Sequence, residues 1–237
     1  MIFLRNKTEV AQWAAHYIMT KLQDHPGFVL ALPTGRTVIG LYRELKELHR
    51  AGNLQVNHIR ATFNLDEYVG LGPTHPGSFR QFMIKHFVVP LSFPEKQFHI
   101  PSGIVDDLTK ECQAYEEAIR DSGGIDLAIL GIGQNGHIGF NEPGTSFKSL
   151  THVVNLTPGT RRANAYAFGD RAKVPTQAIT MGLSTIMSSR ELLLLATGPR
   201  KRDILRKALK GRITEECPAS ILQLHPQVTV VTDQPID

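Results

Sequence analysis

The 237-residue chain carries 26 Lys and Arg against 22 Asp and Glu, a formal net charge of +4 with neutral histidines. Its 41% hydrophobic and 20% charged content suits a globular protein with a sizeable core, and no apolar run has the length of a bilayer span or a secretory signal. The positive balance favours an anionic partner, but the basic residues are dispersed rather than aligned with aromatics, which argues against nucleic acid and for a small anionic ligand.

Val10, Trp13, Ala14, Tyr17, Ile18 and Leu22 fall at helical spacing, predicting an amphipathic helix over 8–24 that ends at His25-Pro26-Gly27. Residues 28–32 form a short apolar strand, and Val38, Leu41, Tyr42, Leu45 and Leu48 begin a second helix. Between them lies Pro33-Thr34-Gly35-Arg36-Thr37. A strand, a small polar turn and a helix make an anion cradle, because free amides at the helix start point at the ligand. The same threonines would equally serve an ordinary N-capping turn. The turn lacks the Walker A pattern of a nucleotide P-loop.

Residues 58–65 read as a strand closed by Asp66-Glu67-Tyr68-Val69-Gly70. On extended chain, adjacent acids point to opposite sides, so at most one of Asp66 and Glu67 enters a given site. Phe79, Phe82, Met83 and Phe87 suggest a helix docked on the core. Residues 106–121 predict a charged helix with Leu108, Cys112, Tyr115 and Ile119 inward. Beyond the central loop, 151–156 and 178–181 are strand-like, and 183–187 suggests a short helix. Residues 158–175 have weak periodicity and read as a mobile flap or a short helix and loop. A strand over 191–196 leads to Thr197-Gly198-Pro199-Arg200-Lys201 and a helix to Leu209. Cations at a helix start oppose the macrodipole, which hints at an anionic ligand there. A helix near 218–224 and a strand over 228–232 complete the chain.

The pattern predicts a single α/β domain over 1–237, with a mostly parallel open sheet covered by helices on both faces and a flap around 157–175. Cys112 and Cys217 belong to no CxxC pattern and read as two reduced thiols of a cytoplasmic protein, one disulfide being the alternative. No CxxC, HExxH or EF-hand spacing suggests a metal site.

The stretch from Gly131 to Gly144 follows an apolar strand and contains five glycines, a histidine, a glutamate and two asparagines. Glycines let the backbone turn sharply and approach a ligand, and open α/β sheets bind ligands beyond the carboxyl ends of their strands. We read it as the active-site loop. Gly131-x-Gly133-x-x-Gly136 matches the dinucleotide fingerprint, but Gly139, Pro143 and Gly144 interrupt the helix that motif requires, and no acid ends the next strand.

Four motifs now support one another. Leu32-Pro33-Thr34-Gly35-x-Thr37, Phe63-Asn64-Leu65-Asp66-Glu67-Tyr68-Val69-Gly70-Leu71, Asn135-Gly136-His137-Ile138-Gly139-Phe140-Asn141-Glu142-Pro143-Gly144 and Ala178-Ile179-Thr180-Met181-Gly182 resemble the glucosamine-6-phosphate deaminases, in matching order up to Leu222-Gln223-Leu224-His225-Pro226. The fold this implies is a modified Rossmann-like one shared with sugar-phosphate lactonases. The implied reaction converts glucosamine 6-phosphate and water to fructose 6-phosphate and ammonia without a redox or pyridoxal cofactor. The resemblance makes His137 the group that opens the sugar ring, with Asn135 and Glu142 positioning it, and Asp66 the base at C2. It gives Thr34, Gly35, Thr37 and Lys201 to the phosphate. The alternatives are a lactonase, a deaminase of another amino-sugar phosphate such as galactosamine 6-phosphate, and a non-catalytic sugar-phosphate sensor.

The chain departs from the resemblance at several positions. Asn135 stands where some members carry aspartate, Arg36 where glycine is usual, Val38 where proline is usual, and Tyr166 where members commonly carry a phosphate-binding arginine. Arg36 is expected to supply the charge that Tyr166 does not. After the central loop, where allosterically activated members place basic residues, this chain offers His152, and it ends soon after Asp233. The expectation is a monomer or small homo-oligomer, without activation by a second phosphosugar, membrane or nucleic-acid partner.

Overall fold

Helical and strand segments alternate because apolar residues spaced three to four apart give way to short continuous apolar runs. In the computed structural model, which describes residues 1–165, 168–170 and 173–236, β1 (Ile2–Phe3) precedes α1 (Lys7–Asp24), β2 (Phe28–Leu32) and α2 (Arg36–Arg50). There follow β3 (Ile59–Asn64), β4 (Asp66–Tyr68), α3 (Phe79–Met83), β5 (Phe98–His99), α4 (Leu108–Asp121) and β6 (Leu127–Gly131). The second half holds β7 (His152–Asn155), α5 (Pro158–Asn164), β8 (Gln177–Thr180), α6 (Leu183–Met187), β9 (Glu191–Ala196), α7 (Arg202–Lys210) and β10 (Val228–Thr232).

Seven strands form one parallel sheet in the order β1-β10-β9-β6-β2-β3-β5. Its central strands are apolar on both faces. In β2, Leu30 and Leu32 pack with Ala14, Ile18, Leu41 and Leu45 of α1 and α2. Val29 and Ala31 pack on the other side with Tyr115, Ile119, Ile186 and Leu205 of α4, α6 and α7. Burial of β2 on both faces is what helix-covered parallel sheets require. This is the single-domain α/β architecture expected, and the buried cysteines Cys112 and Cys217 are free thiols.

The sequence pattern does not predict the second sheet, of order β4-β8-β7 and antiparallel throughout. The strand-like stretches over 151–156 and 178–181 do become β7 and β8, but the three-residue β4 has no distinctive pattern, and nothing local shows which strands pair. The chain enters this sheet directly from β3, through Leu65, whose amide still donates to the Leu32 carbonyl at 3.2 Å while its carbonyl accepts from the Met181 amide at 2.7 Å. The residue after that crossing is Asp66. Two predicted helices also differ in detail. The segment after α3 continues as a π-helical turn over Ile84–Val88, and Pro218–Leu224 is a 3-10 helix.

Close approach of the small sheet to the rest of the fold needs glycine at the start of α6. A Cβ at Gly182 would lie 2.2 Å from the carbonyl oxygens of both Ser149 and Leu150, and the Ser149 carbonyl is held there by the Ser184 amide at 2.9 Å. Backbone on both sides cannot give way as a flexible side chain could. Gly182→Ala should therefore lower unfolding stability by on the order of 1–3 kcal/mol or more, measured as a drop in urea midpoint at unchanged m-value; an unchanged midpoint would contradict the packing described here.

Candidate active site

The turn after β2 opens a helix without a side-chain cap. Gly35 is the N-cap of α2 with φ 101° and ψ 177°, a conformation open to glycine, and no side chain caps the helix. The ordinary threonine-capping alternative is therefore not the one adopted. The Tyr42 hydroxyl fixes the turn from below by donating to the Pro33 carbonyl at 2.5 Å. A helix start with no side-chain cap and no acid in its first turn attracts anions. Thr34, Gly35, Arg36 and Thr37 all line a cavity of about 500 Å³.

Lys201 lines the same cavity, at the end of a 3-10 turn (Pro199–Lys201) that leads into α7. Its ammonium donates to the Ile132 carbonyl at 2.5 Å, and burial pulls its pKa below the ordinary lysine value. The turn is held by Asp233, which accepts from the Gly198 amide at 2.8 Å.

The two adjacent acids separate as the strand geometry requires. Glu67 accepts from the amides of Tyr68, Phe79 and Arg80 at 2.8, 2.9 and 2.9 Å, tying β4 to the start of α3. Asp66 lines the cavity instead. It is 6% exposed, and its Oδ1 has no hydrogen-bond partner among the described residues. Burial, with the Glu67 charge beside it, pushes its carboxyl up to about 8. A carboxyl poised there holds its proton near neutrality and releases it just above.

The central loop brings the remaining residues together. Asn135 and His137 line the cavity, whereas Glu142 lies behind them. The Glu142 Oε2 accepts from the Asn135 amide at 2.6 Å and stands 3.6 Å from the His137 Nδ1. Asn135 Oδ1 also accepts from the His137 backbone amide at 3.3 Å, so it positions the histidine through main chain and carboxylate. Burial alone would raise the Glu142 pKa, but His137, Thr160 and Asn135 outweigh it and hold the carboxyl at about 2. Gly133 lies under the imidazole, where a Cβ would come within 2.2 Å of the ring. The loop's glycines thus serve a close approach of its own histidine, and the dinucleotide alternative is absent because no helix follows β6 directly.

All the site residues named from the sequence therefore gather around one cavity, with Glu142 one layer back. The reading passed over Phe79 and Phe140, and over Thr157 and Thr160 of the α5 segment, which also line it. The Thr157-Pro158-Gly159-Thr160 cap was a local signal for α5, since Thr157 does accept from the Thr160 amide at 3.1 Å. Its contact with Glu142 is long-range and left no local trace. Tyr166 lies outside the described residues.

Comparison with known proteins bears on this arrangement. Residues 5–231 match the family model for glucosamine-6-phosphate isomerases/6-phosphogluconolactonase. The chain belongs to this family. A glucosamine-6-phosphate deaminase of Geobacillus sp. (strain WCH70) is 49% identical over 234 residues, covering 99% of this chain and 93% of the relative. One from Lachnoclostridium phytofermentans is 46% identical over 224 residues, 94% of each chain. Among solved structures, a monomeric glucosamine-6-phosphate deaminase superposes with a TM-score of 0.95 at 45% identity, over 99% of this chain and 98% of the other. The 6-phosphogluconolactonase of Thermotoga maritima shares the family fold at a TM-score of 0.76 and 22% identity, covering 97% and 96% of the two chains. No helix among the described residues is long and apolar enough to cross a membrane.

Asp66 gives the site a measurable cost in stability. Its folded pKa of about 8 lies above the ordinary 3.8, so between about pH 4 and pH 8 the folded chain keeps a proton that the unfolded chain releases. Stability from this group is complete below pH 4 and falls as pH rises across that window. Asp66→Asn removes the titration and should be more stable than the parent at pH 8 by on the order of a few kcal/mol. The gap should close toward pH 4 in urea unfolding at a series of pH values. A gap that stays constant with pH would show that the carboxyl does not titrate this way.

Proposed function

We propose that the chain is a glucosamine-6-phosphate deaminase, converting glucosamine 6-phosphate and water to fructose 6-phosphate and ammonia in the cytoplasm. The observation that carries the reading is the convergence on one cavity of an uncapped helix start, a buried acid with a raised pKa and a carboxylate-backed histidine. The deaminase relatives at 44–49% identity support it.

Each group has a task. The α2 amides with Thr34, Gly35 and Thr37 hold the substrate phosphate, and Lys201 adds charge. His137 takes the proton of the C1 hydroxyl and delivers it to the ring oxygen, opening the pyranose to an aldehyde; Asn135 and Glu142 fix the ring for that transfer. Asp66, ionised, takes the proton from C2 while a proton of the substrate's ammonium passes to O1, giving an enolamine and leaving the C2 proton on Asp66. Returning that proton to C1 leaves an imine at C2. Water adds there, and ammonia departs as the ketone forms. Burial of Asp66 makes it a stronger base once ionised than an exposed carboxylate. Arg36, at the cavity mouth, supplements the phosphate cradle. A monomeric relative favours the monomer over the small oligomer, and light scattering should then return the mass of one chain.

Ammonia and fructose 6-phosphate should appear in equal amounts from glucosamine 6-phosphate, and both Asp66→Asn and His137→Gln should lower kcat by at least about a hundredfold. Because the ionised carboxyl is the active form, kcat/KM should rise with pH through about 8. Failure of the wild type to release ammonia would sink the assignment. Arg36→Gly should raise KM for the phosphosugar about tenfold with little change in kcat, the scale of one charge-assisted contact. An unchanged KM would remove Arg36 from the cradle.

A further inference from the structure

The two oxygens of Glu142 have different partners. Oε2 faces the central loop, taking the Asn135 amide at 2.6 Å and standing 3.6 Å from His137 Nδ1. Oε1 faces α5, accepting from the Thr160 hydroxyl, with the Thr157 hydroxyl oxygen 3.3 Å away. The proton accounting favours a chain. Each threonine hydroxyl has one proton, and Thr160 spends its own on Glu142. Thr157 already accepts from the Thr160 backbone amide at 3.1 Å and lies 3.1 Å from the Thr160 hydroxyl oxygen. Its proton can pass to that oxygen, so the two hydroxyls line up toward the carboxylate and strengthen one another. Thr160 is buried, and α5 borders the same cavity as His137 through Thr157, Thr160 and Asn164.

We propose that Thr160, supported by Thr157, is a positioning residue for His137, acting through Glu142, so that the seating of α5 fixes the histidine. The carboxylate is the joint between a helix that lines the cavity and the imidazole that faces the substrate. Without the hydroxyls, Oε1 would be a half-buried acceptor lacking its protein donors, and Glu142 could turn away from the loop or take up a proton. Among the described residues, the ionisable side chain in contact with Glu142 is His137. The α5 helix itself carries Arg161, which donates to the Val174 carbonyl at 2.8 Å, and Arg162. The role of His137 rests on the deaminase reading, whereas the link from Thr160 to Glu142 can be read without activity.

The test combines Thr160→Val with Thr160→Ser, each alone and on a Glu142→Gln background. Thr160→Val should lower kcat about tenfold or more with KM changed less than about twofold. Thr160→Ser should restore kcat. On the Glu142→Gln background Thr160→Val should cost nothing further, since a residue acting through another is silent once that one is gone. Independently of turnover, the carboxyl carbon resonance of Glu142 should titrate at higher pH in Thr160→Val than in the parent and in Thr160→Ser. If valine prevents folding, Thr160→Ala, which only removes atoms, takes its place in the same cycle. A Thr160→Val enzyme with the parent kcat and Glu142 titration overturns the proposal. So does an equal loss with and without Glu142, which would mean that Thr160 acts on the substrate directly. A parent with no deaminase activity overturns the functional reading alone, because the Glu142 titration still decides the link.

Discussion

The site depends on a carboxylic acid buried where the chain passes from one sheet to another. Leu65 belongs to both hydrogen-bonding systems: its amide bonds to β2 and its carbonyl bonds to Met181, just beyond β8. Asp66 follows with no freedom to move, paired in register with Thr180. A flexible loop would let the carboxyl reach water and ionise as an ordinary aspartate does. Held between two sheets, with Glu67 committed to the α3 amides beside it, the carboxyl meets both burial and a neighbouring negative charge. The raised pKa is thus a consequence of topology, and it carries a stability penalty near neutral pH that an apolar or amide residue would not.

The second carboxylate of the site shows what hydrogen bonds can reverse. Glu142 is also substantially buried, yet donors on both of its oxygens hold it near 2, while Asp66 sits at about 8. Two acids around one cavity, driven to opposite ends of the scale, are suited to different tasks. Glu142 remains charged at any pH where the protein works and can serve only as a fixed acceptor that orients His137. Asp66 changes protonation in the working range and can move a proton. The same logic separates Lys201, whose burial weakens its hold on a proton, from the uncapped amides of α2, whose partial charge no pH change removes.

Much of this was legible in the sequence where a local pattern had a local cause. Apolar runs marked β2, β3, β6, β9 and β10 of the parallel sheet, while its two-residue edge strands β1 and β5 left no such run; helical spacing marked α1, α2 and α4, because each buries a face that repeats in sequence. Opposite orientation of Asp66 and Glu67 followed from strand geometry alone. β7 and β8 were visible as strand-like stretches, but β4 has three residues and the antiparallel pairing was hidden, since β8 lies more than twenty positions from β7 and over a hundred from β4. The contact of Thr160 with Glu142 was hidden for the same reason: nothing near either residue announces a partner 18 positions away. Gly133 was visible as a glycine, but its purpose, room for an imidazole four residues on, was not.

The glycines show how the site can be both rigid and accommodating. Gly35 and Gly198 take φ near 100° and 90°, each opening a helical turn at the cavity with no capping side chain. Neither glycine places a capping side chain at its helix start, and the entropic cost of fixing these turns falls on folding rather than on binding. Opposite them, His137 is held by Asn135, Glu142 and the floor at Gly133. On the proposed reading, a phosphate held at the start of α2 is fixed at one end before the reacting carbons meet Asp66 and His137. Binding energy gained at the phosphate can then be used where the proton moves.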